Sequence, residues 1–443
     1  MKAWEVHLDG GTEASIESKL PDRVQASPLH YEYRSRERDM SLQLIKAIYR
    51  KIQAVTRLTE KQMLTPYYWI PYHLYGNGKA WRPLFVSLEV TYICNLKCQM
   101  CSLVSGEMVT KAGQRKNPEL IEPDGSLRQE ISTDEYLKLI QQMSKAGVKA
   151  VKLTGGEPAL RKDILTLANA VKRGGMHLSM ISNGSAKPDI YTELVRIGLD
   201  SITISVDGTE HVHDQIRGMI GSFAKTQAAI DALIKEKKIT GRPKPRIGVT
   251  CAVSALNQRD LGNLAELFKD SEIDDLNFGY LHFSTEHRDL LTAETIQQGP
   301  SSALHLKKAV LPDLVLQVNT ANLLTQVTEI KAQKDRYKPR IQFSPDLSAE
   351  EIALQYTNES FTLANKCFYA WYSTRIDPWG QMYPCWIDVR LGDIRKTAFE
   401  DLWNGDAYRS FRRMIRNKKL VPKCSTCCVL NDKYWSKLPT FRN

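Results

Sequence analysis

Residues 84–101 read Leu84-Phe-Val-Ser-Leu-Glu-Val90-Thr-Tyr-Ile-Cys94-Asn-Leu-Lys-Cys98-Gln-Met-Cys101. The apolar run at 84–90 predicts a strand, and the three cysteines after it lie on one short loop. Thiolates at this spacing can bind three irons of a four-iron cluster, which leaves the fourth iron without a protein ligand. An open iron suits a catalytic cluster, because a cofactor or a substrate can bind there. Taken alone, the three cysteines also allow a zinc site that lacks one ligand, or a cluster without a catalytic role.

Further motifs follow the next predicted strands along the chain. Gly155-Gly-Glu-Pro158 comes after the strand at Ala150–Leu153, and Ser182-Asn-Gly184 ends the third predicted strand. Ser205-Val-Asp-Gly208 ends the fourth, and Arg217 lies shortly after it. Adjacent glycines let a backbone approach a ligand closely, because they have no Cβ. A guanidinium such as that of Arg217 can pair with a carboxylate through two hydrogen bonds.

Together and in this order, the motifs resemble the signature of the radical S-adenosylmethionine (radical SAM) superfamily. The resemblance implies that Cys94, Cys98 and Cys101 bind a [4Fe-4S] cluster whose open iron is chelated by the amino and carboxylate groups of SAM. It also implies which residues contact SAM: Met100 near the adenine, Gly155, Gly156 and Glu157 at the ammonium group, Ser182 and Asn183 after the third strand, Ser205 and Asp207 at the ribose, and Arg217 at the carboxylate.

The alternation of strands and helices between residues 82 and 283 predicts the fold. Helix-like stretches such as Thr133–Ala146, which begins at the capping signal of Ser132 and Glu135, separate six short apolar runs. Repeated βαβ units predict a parallel sheet with right-handed crossovers. The motifs fall at the C-terminal ends of strands, where the loops of such barrels form binding sites. The resemblance likewise implies an α/β fold with a partial (β/α)6 barrel. The predicted strands are Leu84–Val90, Ala150–Leu153, Leu178–Ile181, Ser201–Val206, Ile247–Val253 and Leu276–Phe283.

A second group of cysteines lies near the C-terminus. Cys367 and Cys385 are separated by seventeen residues that include Asp377-Pro-Trp-Gly380, a turn expected to join the two strands of a hairpin. Such a hairpin brings the two thiols close together. Cys424-Ser-Thr-Cys427-Cys428 supplies a further pair of thiols. Two pairs can hold either zinc or a fully ligated [4Fe-4S] cluster, and the spacing alone favours zinc.

The segment from Cys367 to Cys428 resembles the truncated SPASM, or twitch, extension of the same superfamily. This resemblance reverses the preference for zinc. It implies one auxiliary [4Fe-4S] cluster on Cys367, Cys385, Cys424 and Cys427, with Cys428 as an alternative to Cys427. The predicted domains are a helical, aromatic-rich extension (1–81), the partial barrel (82–283), a helical linker (284–345) and a small α+β iron–sulfur domain (346–443).

The prediction of function depends on the auxiliary cluster. A fully ligated cluster has no open iron and is suited to one-electron transfer. The resemblance implies reductive cleavage of SAM to methionine and a 5′-deoxyadenosyl radical, which takes a hydrogen atom from the substrate. A substrate radical that passes its electron to the auxiliary cluster gives dehydrogenation or oxidative cross-linking. The expected partners are a natural-product intermediate or a peptide as substrate, and an external electron donor such as flavodoxin or ferredoxin.

Spare thiols leave an alternative open. Cys251, on the fifth predicted strand, and Cys428 could each return a hydrogen atom to a substrate radical, which would give epimerisation. A buried and inert cysteine is the more ordinary interpretation of Cys251. His282, at the end of the sixth strand, is a candidate substrate contact or base. A non-catalytic, metal-stabilised binding protein is the alternative from another class, and the retained cysteine and Gly-Gly-Glu-Pro motifs argue against it.

Composition limits the remaining classes. A chain of 443 residues with 42% hydrophobic residues is typical of a globular protein with two or three domains. The sequence has neither a bilayer-spanning apolar run nor a signal peptide, so we expect a cytoplasmic protein. Its nine cysteines are clustered, which favours metal sites over disulfides. The net charge of +11 is spread along the chain, so nucleic-acid binding is not expected. The basic amphipathic helix predicted at Ser41–Leu58 is expected to pack on the protein rather than on a membrane.

Overall fold

The computed structural model describes residues 60–101, 128–297, 317–387, 389–427 and 430. The helix predicted at Ser41–Leu58, most of the loop that follows Cys101, and Cys428 lie outside these residues. Residues 60–443 form a single unit, and the predicted boundaries at 284 and 346 fall within one continuous sheet. Among the helices of the described residues, none combines the length and the apolar character needed to cross a membrane.

Ten strands of the described residues form this sheet. Its spatial order is β10-β9-β8-β1-β2-β3-β4-β5-β6-β7, and the strands from β8 through β1 to β7 all pair in parallel. All six strands predicted from the sequence are present, with ends that differ by at most three residues. The strands are β1 Phe85–Thr91, β2 Ala150–Gly155, β3 His177–Ser182, β4 Ser201–Ser205, β5 Arg246–Val253, β6 Asp275–Tyr280, β7 Arg340–Ser344, β8 Ser373–Ile376, β9 Gln381–Tyr383 and β10 Gly392–Asp393.

Helices connect consecutive parallel strands, as the βαβ pattern predicts. The first of these connecting helices begins at Thr133, because the Ser132 hydroxyl accepts the Glu135 amide and the Glu135 carboxylate accepts the Ser132 amide. The helices are α1 Glu60–Leu74, α2 Thr133–Lys145, α3 Ile164–Arg173, α4 Pro188–Ile197, α5 Glu210–Arg217, α6 Ser222–Ile239, α7 Leu261–Leu267, α8 Glu286–Gln297, α9 Thr320–Ala332, α10 Ala349–Thr357, α11 Phe399–Trp403 and α12 Asp406–Lys418.

The two faces of the sheet differ in chemistry. One face packs under the helices and consists of fully buried side chains such as Leu88, Ile204 and Val249. The other face, here called the inner face, is polar, because side chains alternate along each strand. In-register neighbours on the inner face include Ser87, Lys152, Ser179, Thr203, Ser205, Thr250 and Asn277. The fold is therefore a partial barrel with an apolar outer layer and a polar interior.

The C-terminal region extends the sheet beyond the six predicted strands. The predicted hairpin is present: β8 and β9 pair antiparallel, and Gly380 at the turn has φ +89°, which favours glycine. Strand β8 also pairs in parallel with β1, so the hairpin is joined directly to the barrel. Strand β7 lies in the segment predicted as a helical linker, and it pairs with β6. That linker is therefore helical only in part.

Candidate active site and cysteine centres

Three thiols lie on the loop that follows β1. Cys94 and Cys101 are half-buried and Cys98 is buried, and none of them is in a disulfide. The loop is fixed to the end of α5 by backbone hydrogen bonds from Lys97 to Arg217 (3.0 Å) and from Gln99 to Ile216 (2.9 Å). The sequence prediction that these thiols share one compact loop is therefore confirmed.

Polar side chains reach two of these sulfurs. The Asn183 amide nitrogen lies 3.6 Å from Cys94 Sγ, and an Arg217 guanidinium nitrogen lies 3.7 Å from Cys98 Sγ. Burial raises the pKa of the Cys94 thiol to about 11 and that of Cys98 to about 12, so both are neutral at physiological pH. A metal deprotonates a coordinating thiol outright. Three thiols on one loop, with polar donors directed at two of the sulfurs, fit a metal centre.

Gly155 and Gly156 bring the end of β2 against the start of the cysteine loop. A Cβ on Gly155 would lie 2.1 Å from the Thr91 carbonyl oxygen, and a Cβ on Gly156 would lie 2.5 Å from that of Ile93. Gly155 has φ +138°. The close approach therefore involves the protein's own backbone, whereas the sequence suggested approach to a ligand as the reason for these glycines. Contact with SAM at these residues stays a prediction.

The Glu157 carboxylate joins the ends of β2 and β3. It is fully buried, and it accepts hydrogen bonds from the Ala159 amide (2.9 Å), the Ser182 hydroxyl (2.8 Å) and the Asn183 amide (2.6 Å). Burial raises its pKa, and these hydrogen bonds oppose the shift. The carboxylate thus holds the Ser182–Asn183 segment beside Cys94. A direct contact with the SAM ammonium group, as predicted from the motif, would have to share an oxygen with these donors.

Asp207 and Arg217 form a buried ion pair with an N–O distance of 2.6 Å. The other Asp207 oxygen accepts the Ala252 amide. Burial raises the pKa of Asp207, and the Arg217 charge opposes this shift. Arg217 therefore already has a carboxylate partner in this structure, and Asp207 faces Arg217. Their predicted contacts with the carboxylate and ribose of SAM remain predictions.

The two remaining predicted SAM contacts lie nearby. Met100 is half-buried and packs against Phe283. Ser205 is half-buried at the end of β4, opposite Thr250 on the inner face. Both residues border the polar interior close to the cysteine loop.

Cys251 lies on the helix-packed face of β5. It is fully buried, as are Ile247, Val249 and Val253, which alternate with it on the same face. Its sulfur accepts a hydrogen bond from the Asn257 amide nitrogen at 3.3 Å, and burial raises its pKa well above the ordinary value. The strand alternation turns Cys251 toward the helix-packed face and away from the barrel interior. Its role as a hydrogen-atom donor stays a prediction. This geometry favours the interpretation of a buried, inert cysteine.

Four further thiols line one pocket, here called the C-terminal cysteine pocket. They are Cys367, Cys385, Cys424 and Cys427. The rest of the lining is mainly hydrocarbon and includes Ala370, Phe411 and Ile415. Among the described residues, no group of three or more His, Cys, Asp or Glu side chains is placed to hold a single metal ion. The four thiols nevertheless line the same pocket.

Hydrogen bonds from the loop after β6 connect the C-terminal cysteine pocket to the barrel. His282 lines the pocket, and its Nε2 lies 3.3 Å from the Lys423 carbonyl oxygen. The Thr426 hydroxyl accepts the Phe283 amide and donates to the Phe283 carbonyl. Since Phe283 also packs against Met100, one short segment contacts both cysteine loops. His282 therefore lies at the cysteine pocket, and its role as a substrate contact or base stays a prediction.

A buried polar network between the two cysteine groups is absent from the sequence prediction. Glu89 on β1 pairs with Arg375 on β8 at 2.8 Å and accepts the Tyr92 hydroxyl at 2.5 Å. The Arg375 guanidinium lies 4.2 Å from the centre of the Tyr383 ring, and the Tyr383 hydroxyl donates to Asp377. The signal in the sequence was a charged residue within each of two short strands, and it did not identify the partner.

Comparison with known proteins agrees with the motifs. The family model of the radical SAM superfamily matches residues 88–243, and that of the SPASM iron–sulfur cluster-binding domain matches residues 367–428. The Fe-coproporphyrin III synthase of Methanosarcina barkeri is 22% identical over 81% of this chain and 84% of its own length. The PqqA peptide cyclase of Rhodopseudomonas palustris is 31% identical over 32% of this chain and 34% of its own.

The fold also has a counterpart among solved structures. Streptococcus suis SuiB, in a crystal structure with its precursor peptide SuiA, superposes with a TM-score of 0.52 at 13% identity, over 76% of this chain and 69% of SuiB. The two matched domains imply SAM, its [4Fe-4S] cluster and auxiliary iron–sulfur ligation, which resolves the choice between zinc and iron at the C-terminal cysteines. The chain is a member of the radical SAM superfamily with a C-terminal SPASM domain.

Proposed function

We propose that this protein oxidises its substrate by radical SAM chemistry with the help of one auxiliary [4Fe-4S] cluster held by Cys367, Cys385, Cys424 and Cys427. The observation that carries the proposal is the C-terminal cysteine pocket, in which four thiols from three segments of the chain line one pocket that His282, from the loop after β6, also lines. A second, fully ligated cluster is suited to accepting an electron and has no open iron to offer a substrate. An oxidation therefore explains the pocket better than a redox-neutral reaction.

At the N-terminal cysteine loop, the proposed cluster ligands and the side chains that donate to them have separate roles. We assign Cys94, Cys98 and Cys101 as ligands, while Asn183 and Arg217 donate toward two of their sulfurs. When bound, SAM and the cluster on the N-terminal cysteine loop would supply the group that accepts a hydrogen atom from the substrate. The auxiliary cluster would accept one electron. Glu157 and the Asp207–Arg217 ion pair hold the strand ends around this loop. An external one-electron donor such as flavodoxin or ferredoxin completes the proposal.

The inner face supports a substrate rich in hydrogen-bonding groups, such as a peptide. Thr154, Ser205, Thr250 and Asn277 are half-buried there, and each presents a polar group. These hydroxyl and amide groups can hydrogen-bond to a polar substrate in addition to the Asn277–Thr250 and Ser344–Asn277 bonds within the protein. The name of PqqA peptide cyclase refers to a peptide, and SuiB was crystallised with its precursor peptide SuiA. We therefore propose a peptide or a polar natural-product intermediate.

A tetrapyrrole substrate is the second candidate, and the extent of one similarity favours it. The Fe-coproporphyrin III synthase matches this chain over most of both lengths, whereas the peptide cyclase matches over about a third. Titration of the anaerobic protein with iron coproporphyrin III, followed by the Soret band, separates the candidates. We expect no saturable shift, and a stoichiometric shift would favour the tetrapyrrole.

Epimerisation remains the alternative within the superfamily, with Cys251 or Cys428 as hydrogen-atom donor. The outward position of Cys251 weakens its part in this alternative, and Cys428 lies outside the described residues. A reaction in heavy water distinguishes the two outcomes. Oxidation gives a product two hydrogens lighter than the substrate, whereas epimerisation gives a product of unchanged oxidation level that carries one deuterium.

The experiment that tests the proposal removes the first centre. Full-length protein with Cys94, Cys98 and Cys101 all changed to Ala is reconstituted without oxygen and examined for iron and by EPR after reduction. We expect about four irons and a [4Fe-4S] signal from the C-terminal cysteines. Loss of all iron, or zinc in its place, would remove the electron-accepting role and with it the proposed oxidation.

A further inference from the structure

Arg412 on α12 is a fully buried cation. Its Nε donates to the Ala370 carbonyl (2.7 Å), and one terminal nitrogen lies 3.2 Å from the Asn404 side-chain oxygen. The other terminal nitrogen has no hydrogen-bond partner among the described residues. The guanidinium also lies over the Trp403 ring at 4.2 Å. Arg412 is thus held firmly by neutral groups.

Its lack of a carboxylate sets Arg412 apart from the other buried arginines. Arg217 pairs with Asp207 and Arg375 with Glu89, and Arg288 lies within electrostatic reach of Glu359. No carboxylate of the described residues lies within ion-pair distance of Arg412, and burial lowers its pKa to about 9. A buried charge without a partner is expensive, so such groups are normally paired or bound to a metal site.

Two residues next to Arg412 border the C-terminal cysteine pocket. Ala370, whose carbonyl Arg412 binds, lines the C-terminal cysteine pocket, and so does Phe411, the preceding residue on α12. Tyr408 lies within electrostatic reach of Arg412, Arg375 and Cys385. Arg375 also lies within electrostatic reach of Cys385, but its charge is paired with that of Glu89. An iron–sulfur cluster bound by four thiolates is anionic, and its reduction adds one more negative charge. Net charge is one of the features that set cluster potentials.

We propose that Arg412 is the internal counter-charge of the auxiliary cluster and raises its reduction potential. The inference rests on the proposed function, since it assumes a cluster on the four C-terminal cysteines. A nearby cation stabilises the reduced cluster more than the oxidised one, because the reduced form carries more negative charge. Arg412 therefore makes the cluster a better electron acceptor, as an oxidation requires. It acts as a positioning and electrostatic residue that need not touch the substrate.

The test measures the midpoint potential of the auxiliary cluster by EPR-monitored titration. The parent is the full-length chain with Cys94, Cys98 and Cys101 changed to Ala, so that one cluster reports. We expect Arg412→Met to weaken electron acceptance at least tenfold, which is a fall of about 59 mV for one electron. Arg412→Lys, which keeps the charge, should recover at least half of the difference. Arg409→Met is the matched control, because Arg409 lies on the same helix and donates to the Asn77 carbonyl.

A second variant keeps the proposal testable if Arg412→Met does not fold. Asn404→Asp places a carboxylate on the group that already accepts the Arg412 hydrogen bond, so it neutralises the cation while the side chain stays in place. We expect the same fall in potential. An unchanged potential in Asn404→Asp or Arg412→Met, with the cluster present, would overturn the inference. A parent protein without any cluster would instead overturn the proposed function.

Discussion

The two groups of cysteines in this protein differ in how the chain assembles them and in what surrounds them. The N-terminal thiols come from eight consecutive residues, and side chains of Asn183 and Arg217 reach the sulfurs of Cys94 and Cys98. The C-terminal thiols come from segments up to sixty residues apart and line a pocket that is mainly hydrocarbon. Backbone amides of Tyr369 and Ile387 provide the hydrogen bonds to Cys367 and Cys385.

This difference indicates two kinds of chemistry. The N-terminal loop borders the polar inner face, where a charged cofactor can find partners and be exchanged after each turnover. The C-terminal pocket is lined mainly by apolar side chains and by four thiols, which suits a group that remains bound and only changes its charge. The two groups should therefore respond differently when either is removed.

Loss of single cysteines should separate the two roles, and it is the largest effect we expect. Cys94→Ala removes a ligand of the first centre, so formation of 5′-deoxyadenosine from SAM with dithionite should fall to the background without protein. Cys385→Ala leaves that centre intact, so it should retain 5′-deoxyadenosine formation and lose the oxidised product. Liquid chromatography of both compounds checks the prediction.

Cys251→Ala is the matched control for these variants. It removes a thiol that lies on the apolar face of β5, so both activities should persist. Equal loss of SAM cleavage in Cys94→Ala and Cys385→Ala would mean that the two groups do not have separate roles. If Cys251→Ala lost the oxidised product but still cleaved SAM, Cys251 would have a role in the reaction on the substrate.

The contrast also explains what the sequence could predict. Cys94, Cys98 and Cys101 are local, and so are the alternating strands and the capping signal at Ser132, because each depends on neighbours along the chain. The orientation of Cys251 was not predictable with equal ease, since a shift of one residue along a strand reverses the face. The sequence did not predict which residues pair when they are far apart along the chain.

Those tertiary features include the join of the hairpin to the barrel. Strand β8 pairs with β1 across almost 290 residues, and Glu89 meets Arg375 because of that pairing. A five-residue strand at a sheet edge gives little pattern, so the sequence does not distinguish segment 340–344 from a linker. Gly155 and Gly156 were identified correctly as special, but the backbone that they approach is visible only in three dimensions.

The Asp207–Arg217 pair offers the next largest effect, on stability rather than on chemistry alone. Arg217→Met leaves Asp207 buried without its counter-ion, which should lower the free energy of unfolding by about 3–5 kcal/mol. Urea unfolding of the apoprotein measures this. Asp207→Asn in the Arg217→Met background should restore most of the loss, because the remaining group is neutral. A double variant as unstable as the single one would show that the ion pair is not what the arginine contributes.

Lowering the pH should reduce the free energy of unfolding through His213, which is fully buried beside the Asp207–Arg217 ion pair. Burial, and then the Arg217 charge, lower its pKa to about 3, below the ordinary 6.5 of the unfolded chain. Between these values the unfolded chain binds more protons, so stability falls as pH decreases. From pH 6.5 to 4.5 the loss should reach about 2 kcal/mol, because each pH unit contributes at most about 1.4 kcal/mol and the unfolded histidine is only half protonated at pH 6.5.

His213→Asn keeps a hydrogen-bond acceptor for the Asp207 amide and removes the titrating ring. Its unfolding free energy should therefore vary less with pH than that of the wild type. His177, whose burial lowers its pKa to about 4, leaves a smaller dependence in the variant. The exposed His211 provides the control, since His211→Asn should leave the profile of the wild type unchanged. Parallel profiles for wild type and His213→Asn would contradict the assignment.

The smallest effect concerns the link between the two cysteine groups. Thr426 is buried beside Cys427, and its hydroxyl binds both the amide and the carbonyl of Phe283. Thr426→Val preserves the shape and leaves those two backbone groups unsatisfied, at a cost of about 1–3 kcal/mol. Hydrogen exchange at the Phe283 amide should accelerate accordingly, while Thr426→Ser should remain close to the wild type.

The same link predicts that the two cysteine loops are energetically coupled. Phe283 packs against Met100 on the N-terminal loop and binds Thr426 on the C-terminal loop, so a change at either contact should alter the other. In a double-mutant cycle of Met100→Ala and Thr426→Val, the unfolding free energies should depart from additivity by at least about 0.5 kcal/mol, because both residues share one partner. Additive values would mean that Phe283 is a spacer, and that the two centres are held at their separation by the β1–β8 pairing and the Glu89–Arg375 ion pair alone.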